Sequence, residues 1–187
     1  MVETAAAMDV TVIVGTYGSD EWSEAGWQTA MRHNGVHVHG PDLATARNQA
    51  AYRSRTEWLV FLDADDKLAP GYVDALAQVD GDLRVPVLEL RYPDGRRVRP
   101  DLPGRDIERM NPCCIGTGIR RSLFMDCGGF PQFSAWEDWA LFLRAHRRGA
   151  SITHAPDAVY EASVRPGSRN QSVDDAAGLY RAIRLWA

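Results

Sequence analysis

Trp58-Leu59-Val60-Phe61-Leu62-Asp63-Ala64-Asp65-Asp66 decides the reading of this chain. An unbroken apolar run ends in three acids. Aromatic and β-branched residues with no polar interruption predict a strand buried on both faces. The carboxyl end of such a strand is where open α/β sheets take their ligands. Asp63 and Asp65 crowd like charges, which is costly unless a cation joins them. Hard oxygen donors suit Mg²⁺ or Mn²⁺, usually shared with a phosphate. The competing explanation is a helix start, with Asp66 as N-cap and Pro70 opening a helix over 70–79. Capping accounts for one acid out of three.

Working outward, the strand sits in a βαβαβα pattern. Val10-Thr11-Val12-Ile13-Val14 reads as a first buried strand, broken by Gly15-Thr16-Tyr17-Gly18-Ser19 and followed by a helix to about residue 33. Val36-His37-Val38-His39 is a short second strand. Asp42 is placed to cap a helix running to about residue 55, with Leu43, Ala46 and Ala50 as its apolar stripe. This order predicts an α/β fold with a mostly parallel central sheet flanked by helices and right-handed crossovers.

The second half is less regular. A strand is expected over 83–90, with a turn at Pro93-Asp94-Gly95. Short helices are expected over 120–126 and 137–148, the second closed by Gly149. Two strands are expected at 151–153 and 158–160, a polar loop over 166–176, and a last helix over 177–187. No repeat or linker divides the chain, so 1–187 reads as one domain with residues 1–8 flexible.

Composition narrows the function classes. The chain has 187 residues and a net charge of −4, so no global basic field announces nucleic acid. No apolar run approaches membrane-spanning length, and residues 1–8 lack the pattern of a signal peptide. Cys113, Cys114 and Cys127 match neither zinc spacing nor a disulfide framework, which predicts reduced thiols and a cytoplasmic setting.

Four blocks in order carry a resemblance. They are the strand ending in Thr16-Tyr17, Leu43-Ala44-Thr45-Ala46-Arg47-Asn48-Gln49-Ala50, the acidic strand end at 60–66, and Trp136-Glu137-Asp138-Trp139 after Arg121-Ser122-Leu123-Phe124-Met125-Asp126-Cys127-Gly128-Gly129-Phe130. Together they resemble the GT-A fold glycosyltransferases of family 2, which are inverting and use nucleotide-sugar donors. The likeness runs from about Val10 to Ser168.

The resemblance implies roles. Thr16, Tyr17 and Gly18 would lie under the donor's base, and Arg47 and Asn48 would face the nucleotide. Asp63 would touch the ribose or a metal-bound water. Asp65 would hold the Mn²⁺ or Mg²⁺ that bridges the diphosphate. Asp138 would be the general base, with Glu137 and Trp136 bordering acceptor and sugar. Gly116 and Thr117, in the loop 111–118, would line the acceptor side.

The chain also departs from the family pattern. His37-Val38-His39-Gly40 stands where paired acids usually read the base, leaving a UDP-sugar first and GDP- or dTDP-sugars open. Gly15 and Gly18 replace a usual Pro and Asn. Arg165, before Pro166-Gly167-Ser168, replaces a histidine. An arginine cannot ligate a metal but can pair with a phosphate. His154 is a candidate substitute ligand, although a lone histidine near a strand end is more often structural.

The six arginines between 91 and 109 read as a solvated face, or as a cradle for an anionic acceptor. The expected activity is a metal-dependent, inverting transfer of a sugar, of hexosyltransferase type, to an acceptor hydroxyl. Glycan, lipid carrier, protein, small molecule and modified nucleic acid stay open as acceptors, as does a homo-oligomer. The rival readings are a non-catalytic sugar-nucleotide-binding module and a nucleotidyltransferase.

Overall fold

The structure is a computed structural model that describes residues 8–166 and 173–187. Most of the N-terminal stretch 1–8, and Gly167 and Ser168 of the C-terminal motif, lie outside the described residues. In chain order the elements are β1 (Val10–Tyr17), α1 (Asp20–Arg32), β2 (Val36–Gly40), α2 (Leu43–Arg53), β3 (Trp58–Leu62), β4 (Lys67–Leu68) and α3 (Tyr72–Ala77). They continue with β5 (Leu83–Arg91), β6 (Arg97–Val98), β7 (Gly118–Arg120), α4 (Arg121–Asp126), α5 (Glu137–Arg147), β8 (Ile152–Ser163) and α6 (Ala176–Trp186).

All the strands join one sheet in the order β2-β1-β3-β7-β5-β8-β4, with β6 paired to β5. The long pairings, β1 with β2 and β3 and β5 with β8, are parallel, while short β4, β6 and β7 pair antiparallel. Every residue of β3 is buried. Its side chains alternate between two cores, as strand geometry requires. Leu59 and Phe61 enter the core under α2, α4 and α5, and Val60 and Leu62 the one under α3. Phe61, Phe124 and Phe130 meet with centroids 4.7–5.5 Å apart, the range of favourable tilted and edge contacts.

Several expectations change. β1 runs on through Gly15 to Tyr17, because β2 keeps pairing with it in register, Thr16 opposite His39 and Tyr17 opposite Gly40. The helix expected over 70–79 shortens to α3, entered through Gly71 at φ +75°, and Asp66 caps nothing. Instead Lys67 and Leu68 form β4 against Glu161 and Tyr160 of β8. The two strands expected between 151 and 160 are one, β8. Pro86 pairs with Ala155 and Val87 with Val159, so the residues around Pro156 bulge out of a continuous ladder. Asp42 caps α2 as expected, accepting from Thr45 N at 2.8 Å.

Candidate active site

The parallel strands β1 and β3 and the end of β8 converge on an open cleft of about 770 Å³. Its walls include Thr16, Tyr17 and Gly18 from the end of β1, Asp63, Asp65 and Asp66 from the turn after β3, and Arg47, Glu137 and Arg165. The structure therefore gathers around one space most residues that the sequence singled out.

The acidic turn is held by the end of β8. Tyr160 Oη donates to Asp66 Oδ2 at 2.8 Å, and Ser163 N donates to Asp66 Oδ1 at 2.7 Å. Ser163 Oγ also donates to the Asp65 carbonyl at 2.6 Å. Burial, with Asp63 close by, pushes the Asp66 carboxyl up to about 8. Two residues beyond Ser163, Arg165 Nε meets Asp65 Oδ2 at 2.9 Å while its guanidinium lies 4.3 Å from the Trp22 ring centroid. Burial and then Asp63 raise the Asp65 carboxyl, and Arg165 opposes them.

Arg47 is enclosed, at 2% exposure. One arm pairs with Asp63 and the other donates to Glu137 at 2.8 Å. Gly15 makes room for it, since a Cβ there would lie 2.7 Å from Arg47 Cγ. Burial works against the charge of Arg47, but Asp63 and Glu137 outweigh it and raise its pKa. Asp138 follows Glu137 at the start of α5. Its Oδ1 accepts from Trp139 N at 2.7 Å and its Oδ2 from Asn111 Nδ2 at 3.2 Å. Burial, then the neighbouring Glu137, push the Asp138 carboxyl up to about 6.

Other expected residues fall elsewhere. Asn48 does not line the cleft: its amide donates to the Phe130 carbonyl and accepts from Phe130 N, both at 2.9 Å, and so holds the loop before α5. Gly116 and Thr117 are buried and outside the cleft lining, because their turn packs beneath it, with Tyr72 Oη donating to the Gly116 carbonyl at 2.7 Å. Trp136 takes a left-handed conformation at φ 58° and packs edge-on to Trp139, with centroids 6.2 Å apart. His154 sits in β8 opposite Val85, away from the cleft, and burial lowers its pKa.

The arginines of 91–109 are largely countered. Arg97 and Arg99 reach Glu89 at 3.3 and 2.9 Å, and Arg91 pairs with Glu161. Among the described residues, no group of three or more His, Cys, Asp or Glu side chains comes together to hold a metal ion.

Sequence reasoning missed three parts of this region. In sequence Asn111 is one residue of a loop, and nothing sets Trp22 apart within its helix. His37 and His39 stand where the family pattern has acids, and both bond to Thr16 Oγ1, at 2.7 and 3.0 Å. The alternation of β2 was the available signal, since residues two apart share a face.

Residues 10–98 match the family model described as Glycosyl transferase family 2. In structure, the chain is similar to S. aureus TarS 1–349 in complex with UDP-GlcNAc, with a TM-score of 0.68 and 19% identity over 96% of this chain and 66% of that one. It is also similar to TarS 1–349 without that ligand (TM-score 0.66, 18% identity, 96% and 65% covered) and in complex with UDP (TM-score 0.61, 19% identity, 96% and 65% covered). This chain thus spans just under two thirds of those TarS structures. No curated protein matches it significantly in sequence. The family match covers residues 10–98, just under half of the chain, and the described elements, out to α6, share the fold of the TarS structures.

Proposed function

We propose that the chain is a metal-dependent, inverting glycosyltransferase that moves a sugar from a nucleotide-sugar donor to an acceptor hydroxyl. The observation that carries this reading is the convergence of Tyr17, Asp65, Arg165 and Glu137 on one cleft, with Asp138 next to Glu137. Tyr17, 40% exposed, offers a face for the base. Thr16, its neighbour in the cleft wall, is bonded to His37 and His39. The UDP-GlcNAc and UDP bound to S. aureus TarS support a uridine nucleotide, with GDP and dTDP as the alternatives.

The residues fit a divalent cation in one way. Asp65 is a half-buried oxygen donor whose pKa is raised by burial and then by Asp63, both of which a bound cation would offset. It would hold the ion alone among protein side chains, with diphosphate oxygens and water completing the shell, and Asp63 would contact the ribose or a metal-bound water. When bound, the ion supplies Lewis-acid neutralisation of the leaving diphosphate. Arg165 is placed to swing from Asp65 to the same phosphates.

Asp138 takes the proton of the acceptor hydroxyl. The oxygen then attacks the anomeric carbon opposite the leaving group, the carbon–phosphate oxygen bond breaks, and the nucleoside diphosphate departs with the bond's electrons. A carboxyl that titrates near 6 is ionised at neutral pH and still basic enough for the task. The three cysteines are free and buried, which supports a reducing, cytoplasmic setting. No described helix is long and apolar enough to cross a membrane.

The test is a panel of sugar nucleotides incubated with the protein and Mn²⁺, following release of nucleoside diphosphate. Slow release from one donor is expected, with Asp138→Asn abolishing turnover while donor binding persists. Binding without turnover would mean a binding module. Pyrophosphate release from a nucleoside triphosphate would mean a nucleotidyltransferase.

A further inference from the structure

We propose that Asn111 is a positioning residue for Asp138, tying the base at the start of α5 to the loop 111–118. This rests on the assignment of Asp138 as base. The amide's orientation follows from its partners. Cys113 N can only donate, and it lies 3.0 Å from Asn111 Oδ1. The amide oxygen therefore faces Cys113, and the NH₂ group faces Asp138 Oδ2 at 3.2 Å. Trp139 N supplies the second donor, at 2.7 Å to Oδ1. Each carboxylate oxygen thus holds one donor, the carboxyl cannot turn, and its remaining lone pairs point in a fixed direction.

The loop that carries Asn111 is itself anchored. Trp139 Nε1 donates to the Ile107 carbonyl at 2.8 Å on one side, and Thr117 N to the Cys114 carbonyl at 2.9 Å on the other. Cys113 and Cys114 are buried between them. A shift of the loop therefore reaches Asp138 through one amide.

The charged and titratable groups around Asp138 are Glu137 beside it on α5, Arg47 from α2, Asp63 after β3, and Cys113 and Cys114 of the loop. Burial, Glu137 and Asp63 favour the protonated form, while Arg47 and the donated hydrogen bonds favour the carboxylate. Losing the Asn111 donor moves the balance toward the proton.

Asn111→Asp isolates this role. It keeps an oxygen to accept from Cys113 N, so the loop turn survives. It also removes the donor and sets a second carboxylate against Asp138. Carbon-13 titration of the aspartate carboxyls in the whole protein reads the effect without any substrate, and the Asp138 signal is identified by its loss in Asp138→Asn. Asp138 is expected to titrate near 6 in the natural protein and about one unit or more higher in Asn111→Asp, as one of a coupled pair. The acid limb of the rate of donor turnover should move with it, leaving the KM for donor unchanged.

Should Asn111→Asp fail to fold, Asn111→Ala takes its place, with a smaller upward shift expected. An unmoved Asp138 titration in the folded variant overturns the proposal. The base assignment fails separately, if Asp138→Asn keeps its turnover while the Asp138 signal still responds to Asn111.

Discussion

Arg47 and Glu137, 90 positions apart in sequence, meet at 2.8 Å with both side chains almost shut off from water. The other arm of Arg47 holds Asp63, and its guanidinium carbon lies 5.4 Å from the Phe130 ring centroid. One buried cation thus joins α2, the end of β3 and the start of α5. Removing one partner of a buried ionic group strands the others without water. Arg47→Gln is expected to cost about 3 kcal/mol or more. At this chain length, that lowers Tm by about 6–12 °C. Arg47→Lys should fall between, because an ammonium cannot span both carboxylates with a planar fork. Thermal unfolding of the three proteins checks the order.

The Asp138 carboxyl, raised to about 6, sets a pH dependence of opposite sign for rate and for stability. With Asp138 as the proposed base, turnover should fall about tenfold per unit below pH 6, where its carboxyl is protonated, and level off above it. The folded state keeps this proton up to about pH 6, while the unfolded chain releases it near the ordinary value of about 3.9. The stabilisation from this group is therefore complete below the unfolded value and lost as pH rises through about 6. Asp138→Asn should flatten that part of the stability curve, read by denaturant titration at pH 4, 5, 6 and 7.

The parts of this architecture legible in the sequence were those built from local repeats. The unbroken apolar run of β3 and the stripe of α2 show their elements without tertiary help, and Asp42 announces its own cap. β4 and β7 are two and three residues long, too short for any periodicity to register. They exist because β8 and β3 offer them ladder partners. Within the site, the acids could be named but not their partners. Asp63 belongs with Arg47, Asp65 with Arg165, and Asp66 with Tyr160, across separations that pattern reading does not reach. Asn48 shows the converse. It sits beside Arg47 in sequence, yet one position along a helix turns it by about 100° toward Phe130 rather than the cleft.

Gly116 is a test of packing rather than of acceptor contact. A Cβ there would lie 2.2 Å from Tyr160 Cδ2 and 2.7 Å from Tyr72 Oη. Gly116→Ala should destabilise by about 1–3 kcal/mol, as overpacking does. Because Tyr160 also holds Asp66, donor affinity should weaken in the same variant. Denaturant midpoints and donor titration together check this, and a variant of unchanged stability would place Gly116 in open space.

Arg165 is half exposed and pairs with Asp65 at 2.9 Å, so its contribution to stability is small. Its effect should appear on ligand binding. Arg165→Gln is expected to weaken binding of UDP about three- to tenfold, through loss of a charge-assisted contact to phosphate. Chelation of divalent cations should weaken it further in both proteins. Calorimetric titration with UDP, with and without Mn²⁺, measures both effects, and equal affinities would remove Arg165 from the donor site.

The latch between Asp66 and Ser163 spans 97 positions of sequence. As the chain leaves the ribosome, the acidic turn appears long before the strand that secures it. At about 5–20 residues per second, several seconds separate the two. Until β8 arrives, β5 lacks its main neighbour and the three acids face one another with no Tyr160 or Arg165 between them. Nascent chains stalled before residue 152 should therefore be open to proteases around residues 63–70, and those stalled with β8 fully emerged should not.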